Sequence, residues 1–358
     1  MAERPNYIYQ GGNVMMHSPL KLTNSDMYGF FVKGDLKKLQ QSVDSTLNAV
    51  ATGRMQFKVF SPFVMLTFTR VNHANSANPV DKAKGWGEET DIVTWIMVAQ
   101  IEQQNGTPVV KEIFAYPFHI WVNDCMALIN GRELYGYPKY ECQYSMPASG
   151  ADPVNFTLAA KGFEPFSPAT QLAMHPLLEV PATNTNGVHR PLKSILNLLE
   201  EGFAILQSEP DLLDLDLAEL PKFLKLLFKP QVQQIFLKQF PDSSGVKAVY
   251  QAIVAAPAQV DAIHSVQLLG YPYQCDLHKF DSFPLDQTLG LTLGAQPAIL
   301  PFLVNFDFSV TEGEELVDNS QIELRKIAIL GGGVSAMPMK NFPPPTDYAF
   351  PAECAAQA

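Results

Sequence analysis

Apolar and polar positions follow two different rhythms along the chain. The segments FVMLTFTRV (Phe63 to Val71) and DIVTWIMVAQIE (Asp91 to Glu102) are dense in Val, Ile, Thr and aromatic residues, the composition of β-strands. Between them NHANSANPVDKAKGWGEE is polar and turn-rich, which predicts a loop. One earlier stretch keeps helical time instead. In DLKKLQQSVDSTLNAV the residues Leu36, Leu39, Val43 and Leu47 recur at helical spacing behind Asp35, a residue type suited to capping a helix N-terminus. From about Tyr28 to Leu158 the chain therefore reads mainly as strands.

Near Pro191 the pattern changes. PLKSILNLLEEGFAIL, DLAELPKFLKLLF, QVQQIFLKQF and SGVKAVYQAIVAA carry apolar residues at helical spacing, with Pro221, Pro230 and Pro241 between them. Proline ends a helix by removing a hydrogen bond and clashing with the preceding turn. This predicts a helical block over 191–265, inserted in or appended to a β core, whose Leu and Phe stripes serve as core or subunit interface. Strands return after Val266 with LGLTLG and the alternating FLVNFDFSV, and a proline-rich tail follows from Met337. The predicted organisation is a first part of the core over 1–190, the helical block over 191–265, returning core strands over 266–336 and an extended tail over 337–358, all in one domain. The fold class is α+β.

Composition narrows the function. Of 358 residues, 47% are hydrophobic and 17% charged, enough to build a core and too apolar for a disordered chain. A net charge of −11 argues against nucleic acid, whose phosphates select basic surfaces. No run approaches the ~18 apolar residues of a membrane span, and MAERPNYIYQ has no apolar secretory core. The four cysteines (Cys125, Cys142, Cys275, Cys354) show no CxxC spacing and no histidines have metal-ligand spacing, so neither a metal site nor a disulfide framework is expected. The expectation is a soluble cytoplasmic protein. Lone His119 and His264 read as structural. The glycines of Leu330 to Val334 read as a turn, because no Lys-Ser/Thr follows to make a phosphate loop.

The chemistry concentrates in VNDCMALINGRELYGYPKY, Val122 to Tyr140. Its first part, up to Leu128, reads as a buried strand, with Cys125 an inert core thiol. Gly131 and Gly136 then permit tight turns, and Pro138 stiffens the approach to Lys139. A lysine must be neutral to attack a carbonyl, and its ordinary pKa of about 10.4 leaves little free amine at neutral pH. Burial among Tyr135, Tyr137 and Pro138 would lower that pKa.

Asn123-Asp124, Ala127-Leu128, Gly131-Arg132-Glu133-Leu134 and Gly136-Tyr137-Pro138-Lys139 together resemble the signature of the acetoacetate decarboxylase-like family. The resemblance implies a closed, mostly antiparallel β-barrel or cone, with Lys139 as the lysine that forms a Schiff base. It also implies cofactor-independent chemistry on a small-molecule oxo acid or other carbonyl compound, and homo-oligomers. In that family an acidic residue before a long strand faces the lysine. Trp86-Gly87-Glu88-Glu89 puts Glu88 there, or Glu89 one residue off. Glu133 belongs to the signature and either shuttles protons or holds the loop through hydrogen bonds.

The sequence also departs from the family. Tyr140 stands where the decarboxylase has a second lysine. Asn24-Ser25-Asp26 occupies the place of a substrate-binding arginine, and Thr67 that of a further glutamate. Tyr140, Tyr135 and Thr67 are the candidate substrate-binding residues, and Arg70, Lys33 and Arg54 the cations that could replace the arginine. Decarboxylation of a 3-oxo acid is the expected reaction. The alternatives are an aldolase-dehydratase acting on pyruvate and an aldehyde, with Tyr140 or Tyr135 acting on the departing hydroxyl, and a non-catalytic binding barrel.

Overall fold

The strand-forming stretches of the first half become long antiparallel ladders. The computed structural model describes residues 6–9, 16–104, 107–207 and 231–320. Strand β1 spans Leu20–Lys33, β2 Gln56–Val59, β3 Phe63–Ser76, β4 Gly87–Gln104 and β5 Thr107–Val122. After the lysine segment come β6 (Lys139–Ser145), β7 (Thr157–Gly162), β8 (Ala173–Glu179) and the short β9 (Arg190–Leu192). Then follow β10 (Gln231–Pro241), β11 (Ala248–Leu268), β12 (Tyr273–Leu277), β13 (Gly294–Val310) and β14 (Glu314–Asp318).

The pairings return on themselves twice. One circuit runs β1-β3-β4-β5-β10-β11-β13 and back to β1; the other leaves β5 through β6, β7, β8 and β12 to reach β13. The β5–β10 and β5–β6 pairings are parallel, and the remaining steps of both circuits are antiparallel. Strands β13, β1, β3, β4 and β5 thus form a wall shared by the two circuits. Successive side chains of a strand point to opposite faces, so each wall strand serves both. On β4, Ile92 and Ile96 join the main core cluster, while Asp91, Val93 and Trp95 line a cavity on the other face.

The core face is solid and aromatic. Phe156 is fully buried, with its ring 5.1 Å from Tyr28, 5.1 Å from Phe30 and 5.2 Å from Phe68. Tilted and edge-on contacts of this kind each add about 0.5–1.5 kcal/mol beyond burial. On β1 the register slips between Leu22 and Ser25, where Asn24 takes a left-handed φ of 53°. The slip lets Leu20, Leu22 and Met27 all face the cavity despite their mixed parity.

Helix α1 (Leu36–Val43) forms behind Asp35, whose carboxylate accepts the backbone N–H of Lys37 (2.9 Å) and Lys38 (3.0 Å). Its chain continues through a wider turn into α2 (Ala49–Ala51). The helical block over 191–265 needs correction. Helix α4, counted after α3 of the lysine segment described below, covers only Ile195–Gln207. QVQQIFLKQF is β10, and SGVKAVYQAIVAA enters β11. Both strands are buried on two faces, with Ile235 in one core cluster and Phe236 in another. Such a strand reads as a continuous apolar run, which periodicity cannot separate from a helix. LGLTLG is irregular rather than a strand and follows a short helix α5 (Leu285–Thr288), whereas FLVNFDFSV lies within β13. The polar loop after Val71 is shorter than expected, because β3 extends to Ser76 and β4 begins at Gly87. DLAELPKFLKLLF, the glycine turn and the proline-rich tail lie outside the described residues.

Candidate active site

The lysine segment is built from backbone conformations that its small residues permit. Helix α3 (Cys125–Asn130) starts at Asp124, whose carboxylate accepts the N–H of Ala127 at 2.8 Å. The expected strand up to Leu128 is therefore wrong beyond Val122, and Cys125 is exposed rather than a core thiol. Past Asn130 the helix widens over Gly131–Tyr135, and the N–H groups of Gly136 and Tyr137 both donate to the Gly131 carbonyl (3.0 and 3.1 Å). Gly136 then turns the chain at φ +88°, with the Lys238 stem packed against it. Pro138 accepts the Ile120 N–H at 3.1 Å, and Lys139 opens β6 beside Ile120 of β5.

Lys139 is 6% exposed. Its side chain runs over Gly131, where a Cβ would sit 2.7 Å from Cδ and 2.9 Å from Cε. Its Nζ ends 3.0 Å from Asp91 Oδ1 and 4.0 Å from Glu89 Oε2, and 5.7 Å from the Tyr137 ring centre. All four residues line a cavity of about 220 Å³ inside the first circuit. The wall is otherwise mainly apolar, with Thr69, Asn130, Tyr135 and Gln234 adding neutral polar groups.

Electrostatics here differ from the sequence expectation. Burial pushes the Lys139 ammonium down, but Asp91 and Glu89 outweigh it and hold the pKa above the usual lysine value. The expected lowering by burial is thus reversed by the carboxylates. Burial, with help from Asp91, pushes Glu89 up to about 7 against the pull of Lys139. Burial also raises the Tyr137 phenol well above its usual value, and it donates to Gln234 Oε1 at 2.7 Å. Tyr135, raised by burial to about 12, shares a 2.5 Å hydrogen bond with the Ser18 hydroxyl. Asn130 accepts the Met16 N–H at 3.0 Å through Oδ1.

The predicted site residues divide between the cavity and other faces. Lys139 and Tyr135 line the cavity. Glu88 is exposed, so Glu89, its neighbour on β4, is the carboxylate facing the lysine. Glu133 is exposed too, 3.4 Å from the Tyr7 hydroxyl. Tyr140 follows Lys139 on β6 and points the other way, against Phe283 (5.0 Å) and His119 (5.9 Å). It belongs to the packing of the main core. Thr67 is fully buried and accepts the indole N–H of cavity-lining Trp95 at 2.9 Å. Arg70, Lys33 and Arg54 are absent from the described lining, and Arg70 donates instead to the Pro147 carbonyl at 2.7 Å. Sequence reasoning missed Asp91. The signal was there: Glu89 and Asp91 are two apart at the head of a strand and so share a face.

Residues 11–167, which include the lysine segment and both carboxylates, match the family model of acetoacetate decarboxylase (ADC). Over that segment the chain is similar to acetoacetate decarboxylase. Its fold is that of solved structures in the same group. Acetoacetate decarboxylase from Legionella pneumophila subsp. pneumophila str. Philadelphia 1 superposes with a TM-score of 0.54 at 13% identity, over 88% of this chain and 92% of that one. An acetoacetate decarboxylase-like enzyme from Sphingomonas wittichii RW1 gives 0.52 at 12% identity, over 87% and 98%. The enduracididine biosynthesis enzyme MppR, with HEPES bound, gives 0.50 at 10% identity, over 86% and 91%. No curated protein sequence matches the chain. At these identities the acetoacetate decarboxylase-like likeness is one of fold, mostly β with few helices. Among the described residues no helix is long and apolar enough to cross a membrane, and no group of three or more His, Cys, Asp or Glu could hold a metal ion.

Proposed function

We propose that this chain is a cofactor-independent lyase that forms a Schiff base between Lys139 and a small carbonyl compound. The observation that carries the reading is Lys139 buried at a mainly apolar cavity, 3.0 Å from Asp91 and 4.0 Å from Glu89. The two closed circuits of strand pairing support a barrel or cone as the housing, and the free thiols of Cys125, Cys142 and Cys275 suit a cytoplasmic setting.

The resting ammonium must lose a proton before it can attack. Glu89, with its pKa near 7, is suited to take that proton, leaving a neutral amine and a neutral acid. The amine adds to the substrate carbonyl to give a carbinolamine. Glu89 returns its proton to the hydroxyl, which leaves as water, and the nitrogen lone pair completes the protonated imine. The imine draws in the electron pair of the adjacent carbon–carbon bond as that bond breaks. Protonation of the resulting enamine carbon and hydrolysis by water free the product and the lysine.

Decarboxylation of a 3-oxo acid fits this scheme, but one observation favours a second reading. The described cavity lining offers Lys139 as its one cation, already faced by two carboxylates. A substrate carboxylate would lack a partner. In aldol-type cleavage of a β-hydroxy carbonyl compound, Asp91 or Glu89 takes the hydroxyl proton, the carbon–carbon bond breaks toward the imine, and an aldehyde leaves.

The test is borohydride reduction of the protein mixed with oxo acids, ketones and aldehydes, followed by peptide mass spectrometry and by assays for carbon dioxide and aldehyde. A reduced adduct on Lys139, absent in Lys139→Ala, supports the proposal. Failure of every carbonyl compound to label Lys139 would favour a binding protein.

A further inference from the structure

Resting on the Schiff-base reading, we infer that the substrate is an uncharged carbonyl compound whose non-reacting part is apolar. The cavity is divided by its strand order. Its charged groups sit at one side, Glu89 and Asp91 on β4 and Lys139 on β6 beside β5. Around the first circuit β13 lies three or four pairings from β4 in either direction, which puts it across the cavity. What β13 presents there is Phe306, Phe308 and Val310, with the two phenyl rings stacked 5.0 Å apart at 15°. Its neighbours β11 and β1 add Ala258 and Val260 on one side, and Leu20, Leu22 and Met27 on the other. The far end of a molecule held by Lys139 therefore meets hydrocarbon.

Charge balance leads to the same class of molecule. Once Lys139 is an iminium its positive charge is already matched by Asp91, with Glu89 adding negative charge when ionised. A further carboxylate on the substrate would be desolvated beside like charges. Among the described residues, three arginines that could have answered it are engaged elsewhere. Arg70 donates to Pro147, Arg54 to the Ala51 carbonyl at 3.3 Å, and Arg132 to the Lys139 carbonyl at 3.1 Å. The neutral donors and acceptors of Thr69, Asn130 and Gln234 suit a hydroxyl or carbonyl oxygen.

The test compares two methyl ketones of one frame, 2-heptanone and 6-oxoheptanoate, in which a terminal methyl replaces a terminal carboxylate. Each is incubated with the full chain at equal concentration and reduced with borohydride, and occupancy at Lys139 is read by peptide mass spectrometry. The expected result is labelling by 2-heptanone roughly tenfold or more above that by 6-oxoheptanoate. In Glu89→Gln that ratio should shrink. Equal or stronger labelling by the acid overturns the inference while leaving the Schiff-base reading in place. An undiminished ratio in Glu89→Gln removes its electrostatic basis. Absence of label from both ketones overturns the Schiff-base reading along with it.

Discussion

Nζ of Lys139 lies 3.0 Å from Oδ1 of Asp91, and this pairing sets the resting charge of the site. A lysine in an apolar pocket alone would lose its proton. Here Asp91 and Glu89 together more than offset burial and keep the ammonium. Asp91→Asn keeps the shape and removes one of the charges. The pH profile of Lys139 labelling by a carbonyl reagent should then move to lower pH, because less is left to stabilise the ammonium. Breaking a largely buried pair should also cost stability, about 3 kcal/mol, measurable by urea denaturation. A labelling profile that stays in place would show that Asp91 does not govern the lysine.

Lys139→Ala should reduce any carbonyl-dependent turnover by roughly 10³-fold or more, since the covalent route disappears. Circular dichroism should stay β-type, because the β5–β6 pairing at Ile120 and Lys139 uses only backbone.

Glu89 gives a stability signature with a definite sign. Its carboxyl pKa rises from 4.5 in its ordinary state to about 7 in the folded chain. The folded state thus binds more protons between those values, and stability must fall as pH rises through that window. A shift of this size corresponds to roughly 3 kcal/mol. Glu89→Gln should flatten the decline between about pH 4.5 and pH 7, as followed by denaturant titration at several pH values. A steeper decline in the variant would contradict the assignment.

Gly131→Ala places a methyl 2.7 Å from Lys139 Cδ. The lysine stem must shift, so Nζ leaves its position between the carboxylates. Overpacking of this kind costs about 1–3 kcal/mol. Labelling of Lys139 should fall far more than the melting temperature does, and comparing the two measurements checks it.

The family resemblance sets Tyr140 against a second lysine of the decarboxylase, yet Tyr140 faces the core. Tyr140→Lys should therefore lower the melting temperature without adding a second amine to the cavity, because the ammonium would enter a cluster of His119 and Phe283. Tyr140→Phe should label like the parent. Enhanced labelling in Tyr140→Lys would overturn the assignment of Tyr140 to the core face.

Much of this was legible in the chain. The 122–140 segment pointed to Lys139, and the Val- and Thr-rich runs pointed to β3 and β4. What the sequence hid was parity. Glu88 and Glu89 are chemically identical, and only their place on β4, set by Glu89 opposite Val71, decides which one faces the lysine. The same alternation on β6 turns Tyr140 into the core while Lys139 beside it faces the cavity. The helical block failed for another reason. In β11, Ala252, Ala255, Ala256 and Ala258 are buried, and tertiary packing overrides the helix preference of alanine.

The wall shared by the two circuits bears on how such a protein can change over time. Exchanges at Met65, Val93 or Phe306 reshape the cavity while leaving the aromatic interior on the opposite face alone, so selectivity can drift by single substitutions at little risk to folding. A one-codon deletion early in β4 has no such mild outcome. It would carry Asp91 to the place of Thr90, opposite Arg70, bring Ile92 to the lysine, and remove the chemistry in one step.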